Sequence, residues 1–172
     1  RFNAYWGTGV IIGMVGTLIL TRKRRPDQQV STTSWGLLLL GLPLLLLGFV
    51  SLREALPMVM PTLIFFGLGF GIFTVGGMSL LMAMNQEEKA GAYLALWSVI
   101  QLISRGAGIA AGGIIRDVGL SLSGSLSVAY ASVFMIEAAG LFVSIWLLRR
   151  VGVAAFASKA RVSAVEALAA AD

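Results

Sequence analysis

Two charges stand inside otherwise apolar stretches of the chain, Arg105 and Glu137. A charge at the centre of a bilayer costs at least about 2.5–3.5 kcal/mol on insertion scales, so each needs a physical reason. Arg105 belongs to a stripe of Trp97, Gln101, Arg105, Gly108 and Gly112, spaced three or four residues apart. That spacing sets an indole, an amide, a guanidinium and two bare backbone positions on one helix face. With the Glu137 carboxylate, these groups can donate to, accept from and stack on a large aromatic ligand. The same stripe suits packing against a partner helix. The candidate ligand-binding residues are therefore Trp97, Gln101, Arg105 and Glu137. For the two charges, a structural ion pair that fixes helix register is the alternative role.

Other chemistry is scarce. The chain has no cysteine and no histidine. It lacks a disulfide framework, a thiolate metal site, the commonest general base and the commonest metal ligand. There is no phosphate loop, no nucleophile–base pair and no paired-carboxylate motif, and Ser104 beside Arg105 is not a catalytic signature. These residues argue against an enzyme, and no protein-bound metal is expected.

The elements that must carry the stripe follow from composition. Of 172 residues, 58% are hydrophobic and 12% charged, and the mean hydropathy is +0.89. Soluble domains carry about 45–50% apolar and about 25% charged residues. A bilayer core of about 30 Å takes roughly 20 apolar residues in a helix. Five stretches qualify: about Ala4 to Leu20, Trp35 to Leu52, Pro57 to Met84, Ala92 to Ile115 and Ser127 to Leu148. Nothing alternates with period two, so spanning strands are excluded. The expected fold is all-α and integral to the membrane, a five-helix bundle over 1–150. An Ala-rich tail over 151–172, helical by propensity, carries no chemistry. The first residue is Arg1 rather than Met, directly before an apolar helix, and the chain is expected to start mid-protein.

Basic residues set the expected orientation. One side holds Arg22, Lys23, Arg24, Arg25, Lys89, Arg149, Arg150, Lys159 and Arg161; the other holds only Arg1, Arg53 and Arg116. The positive-inside rule then puts the first loop and the C-terminal tail in the cytoplasm. The net charge of +5 reads as a topology signal touching lipid headgroups, not as a nucleic-acid surface. Within that frame Arg105 and Glu137 each lie about ten residues, roughly 15 Å, below the outer surface. A short loop from Asp117 to Leu126 joins their helices, which are expected to be antiparallel neighbours with the two side chains paired.

Most of the 21 glycines lie inside spans. Gly9 and Gly13, Gly67 and Gly71, and Gly108 and Gly112 are four apart, which lets two backbones approach closely. The alternative use of such faces is sliding or bending during transport, or room for a flat ligand. Pro43 is expected to kink the second span, while Pro57 and Pro61 open the third.

The layout resembles helices eight to twelve of a major facilitator protein, with a short basic loop (TRKRRPD) after the eighth. A more specific likeness lies in RFNAYWGTGVIIGMV, GLGFGIFTVGGMSLLMAM and QEEKAGAYLALWSVIQLISRGAGIAAGGIIRDV. These resemble the bacteriochlorophyll delivery family, the PucC and LhaA type of major facilitator protein. The resemblance implies a photosynthetic membrane protein that helps assemble light-harvesting or reaction-centre complexes by handling chlorophyll or bacteriochlorophyll. Its implied partners are the polypeptides of those complexes, the pigment and membrane lipids. With no histidine, a carboxylate, amide, backbone carbonyl or water would have to meet the pigment's magnesium, Glu137 and Gln101 being the candidates. Two other functions fit the same residues: a small-solute transporter of the same superfamily, and a structural subunit retained in a photosynthetic complex.

Overall fold

The computed structural model describes residues 2–22, 29–83 and 90–150. Five helices follow in order: α1 Phe2–Thr21, α2 Gln29–Arg53, α3 Val59–Ala83, α4 Ala90–Ser123 and α5 Leu126–Arg150. A 3-10 turn, Leu56–Met58, leads into α3. All five helices are long and apolar enough to cross a membrane. The all-α class and the number of spans are as expected. The tail 151–172 and the two loops 23–28 and 84–89 lie outside the described residues.

Lipid offers no partner to a backbone amide, so each segment must close its hydrogen bonds internally. Small hydroxyls do the same. Thr17 Oγ1 donates to the Gly13 carbonyl at 2.6 Å, Thr62 to Met58 at 2.7 Å and Ser144 to Gly140 at 2.8 Å.

Packing runs α1 on α3, α3 on α2, α2 on α5 and α5 on α4. Glycine makes the first two contacts. A Cβ on Gly9 would meet the Ile64 carbonyl, and one on Gly13 the Leu68 carbonyl. In return Gly67 faces the Trp6 carbonyl and Gly71 that of Val10. The other side of α3 presents Gly69 to Leu39 and Gly76 to Thr33 of α2, while Gly36 of α2 receives the Phe73 backbone. Backbone therefore lies on backbone in both contacts, and van der Waals packing holds them where lipid supplies no hydrophobic force. The α2–α5 contact is built from side chains. Leu37 and Leu40 bury with Ile145, and Leu44 and Leu47 with Ala138, beside Phe66, Leu141 and Phe142.

Two boundaries differ from the expectation, each for a visible reason. α2 begins at Gln29 rather than near Trp35, because Gln29, Thr32, Thr33 and Ser34 are buried against the bundle. α4 runs through Arg116 and Asp117, where the apolar pattern stops. Those two side chains answer each other, NH2 to Oδ1 at 2.7 Å. The helix ends only at Gly124, whose φ of +67° suits glycine and whose amide donates to the Leu120 carbonyl at 2.8 Å. The loop expected over Asp117 to Leu126 is thus mostly helix, and only Gly124 and Ser125 connect α4 to α5.

A seam between α4 and the bundle as candidate functional site

α4 touches the bundle at two places. Near its start, the Trp97 ring reaches to 3.5 Å from where a Cβ on Gly77 of α3 would stand. Near its end, Gly112 lies beside Val133 and Glu137 of α5, and Gly119 beside Ala129 and Ser132. Trp97, Gly112 and Gly119 share one face at helical spacing, so that face is turned toward the bundle.

Gln101, Arg105 and Gly108 stand on the same face between the two contacts. Among the described residues, none fills the space before them. Gln101 and Arg105 are exposed, and a Cβ on Gly108 would meet nothing within 4 Å. Across the gap, Gly140 of α5 likewise meets nothing within 4 Å, and Ser144 is exposed. The result is a seam, closed by Trp97 at one end and by Gly112 against Glu137 at the other. The opposite face of α4 carries Ile103 and Ile114, 66% and 64% exposed.

All four candidate residues thus line one seam, but the expected Arg105–Glu137 pair does not form. Among the described residues the only ion pair is Arg116 with Asp117. The Glu137 carboxylate instead lies beside Gly112, its Oε1 3.9 Å from the glycine's missing Cβ. The two charges are not at equal depth. Measured from the real helix ends, Arg105 is eighteen residues before Ser123, while Glu137 is eleven after Leu126. The difference of seven residues is about 10 Å along the axis. The antiparallel register set by Gly112 and Gly119 carries Arg105 to the level of Ser144.

The seam offers two donors one turn apart, a guanidinium and an amide. It also offers an indole at one end and a carboxylate at the other. No cluster of three acidic or other metal-ligating side chains exists among the described residues. Sequence reasoning missed Gly77, Gly140 and Ser144. Their signal was the glycine on α3 and α5 at the register of the stripe, visible only once Gly124 is read as the end of α4.

A family model described as PUCC protein matches residues 1–156. The chain belongs to the PUCC protein family. It is 29% identical over 119 residues to Protein PucC of Rhodovulum sulfidophilum, covering 68% of this chain and 25% of the relative. Against Protein PucC of Cereibacter sphaeroides and of Rhodobacter capsulatus, identity is 32% over 83 residues. Those alignments cover 45% and 46% of this chain and 18% of each relative. The chain therefore matches about a quarter or less of the length of these relatives. No solved structure matches it. In this PUCC-family chain, the first two blocks that carried the resemblance form the α1–α3 glycine interlock. The third holds α4 and its side of the seam.

Proposed function

We propose that the chain is part of a membrane assembly factor that binds or delivers chlorophyll or bacteriochlorophyll during biogenesis of light-harvesting or reaction-centre complexes. The observation that carries this reading is the seam. Trp97, Gln101, Arg105 and Glu137 line one open gap beside α4, with bare glycine backbone between them. A flat conjugated ligand needs that shape: an aromatic surface, a few polar anchors and no side chains in the way. Membership of the PUCC protein family supports the same reading. The function is binding and hand-over, not catalysis. The magnesium of a bound pigment keeps a water or takes the Glu137 carboxylate. The partners are antenna or reaction-centre polypeptides in a photosynthetic membrane, and the ends bearing Arg22, Arg149 and Arg150 face the cytoplasm. Arg150 lies over the Trp146 ring, 4.1 Å from its centroid, an arrangement suited to an interface.

The test is purification from a pigmented photosynthetic host in mild detergent. Stoichiometric pigment in the absorbance spectrum, reduced by Gly108→Leu or Gly140→Leu in the seam, is expected. A colourless preparation from such a host removes the proposal. Substrate-dependent flux in reconstituted vesicles, lost with Arg105→Ala, would replace it with small-solute transport.

A further inference from the structure

Arg105 and Glu137 are the two seam charges that no described residue answers, and Arg105 is the cation of the two. It stands near the middle of a 34-residue helix, fifteen residues from Ala90 and eighteen from Ser123. At 1.5 Å per residue this helix is about 50 Å long against a bilayer core of about 30 Å, so its middle lies at membrane depth. Among the described residues Arg105 has no carboxylate within ion-pair distance, and Glu137 is two turns off. Its guanidinium presents five donors in a planar fork shaped for a carboxylate. Gln101, one turn away, adds an amide. Gly108, one turn the other way, leaves bare backbone where a side chain would crowd an incoming group.

We infer that the seam selects the free-acid form of the tetrapyrrole, the macrocycle whose propionate is still a carboxylate, by a two-pronged contact with Arg105. The inference rests on the pigment-handling reading and adds the chemical state of the cargo. A neutral ester would offer Arg105 hydrogen-bond acceptors but would leave a full positive charge at membrane depth. A carboxylate cancels that charge, and charge-assisted bidentate bonds are the stronger kind. Recognition at the rim also leaves the magnesium free of any demand on Glu137. The reaction that consumes such a ligand is esterification of the propionate by a long-chain alcohol. The seam therefore belongs on the substrate side of that step.

The experiment titrates the full chain in nanodiscs with two probes, bacteriochlorophyll a and its free acid, each with and without magnesium. Binding is read from quenching of tryptophan fluorescence and from the pigment's absorbance. The free acid is expected to bind at least tenfold more tightly than the ester. Arg105→Met should erase that ratio, and Arg105→Lys should keep part of it. Removal of magnesium should change it less than twofold. Because Arg105→Met also alters a bulky side chain, Arg105→Lys and the wild-type ratio stand as independent readings. Equal affinity for acid and ester, or a preference unchanged in Arg105→Met, overturns the inference and leaves pigment handling intact. A requirement for magnesium that Glu137→Gln abolishes overturns it as well. If neither probe binds, the pigment-handling reading falls and this inference with it.

Discussion

Ser127 holds Glu54 in place from another helix: its Oγ donates to the Glu54 carboxylate at 3.1 Å. The Ser127 carbonyl in turn accepts from Ser51 Oγ at 2.9 Å. Glu54 sits at the corner after α2 with φ at 53°, a left-handed conformation that costs a non-glycine residue about 1–2 kcal/mol. The corner keeps this strain because the first turn of α5 receives the side chain. Glu54→Gly is expected to be nearly neutral, since relief of strain offsets the lost hydrogen bond. Glu54→Val loses the bond and stiffens the strained residue, so it should destabilise by about 2 kcal/mol or more. Urea titration of detergent-solubilised protein compares the two, and equal losses would count against a strained corner.

Neighbouring glycines of α1 should behave oppositely. A methyl group on Gly9 or Gly13 runs into carbonyls of α3, while one on Gly7 or Gly16 meets nothing within 4 Å. Gly9→Ala and Gly13→Ala are expected to cost about 1–3 kcal/mol. Gly7→Ala and Gly16→Ala should stabilise by up to about 1 kcal/mol through helix propensity alone. Thermal melts followed by circular dichroism at helical wavelengths separate the pairs.

Arg105 and Glu137 are expected to act independently. Groups about 10 Å apart with no shared partner add to within about 0.3–0.5 kcal/mol. A double-mutant cycle with Arg105→Met and Glu137→Gln, read by unfolding in detergent, should therefore close. A coupling above about 1 kcal/mol would show that the two charges meet.

Gly124 ends α4 in the left-handed region. Gly124→Ala should cost about 1–2 kcal/mol. Gly140→Ala, in the open seam, should cost nothing measurable. Relative yields of folded protein after solubilisation give the comparison directly.

The spans were legible because apolar length alone defines a membrane helix, and the glycine pairs of α1 and α3 because close approach needs a small residue every fourth position. The extent of α4 was not. Arg116 and Asp117 look like a stop, yet they satisfy each other and the helix continues. That error moved the supposed outer end by eight residues, Ile115 against Ser123. It made two charges seven residues apart in register look level. The stripe itself, Trp97 to Gly112, was readable from period alone, because a face is fixed by spacing whatever the helix end. What stood opposite it was not, since neither Gly77 nor Gly140 carries a side chain that advertises a contact.

The glycine interlock also has a timetable. α1 rests on α3, and Gly13 meets Leu68 only after fifty-five further residues have been made. At about 5–20 residues per second that interval is about 3–11 seconds. During it the glycine face of α1 waits for α3, and the helix is held by its own backbone bonds. α2, which comes between them in the chain, must be in the membrane before the partner of α1 exists. Synthesis that stalls between Arg53 and Leu68 therefore leaves two helices without the one that joins them.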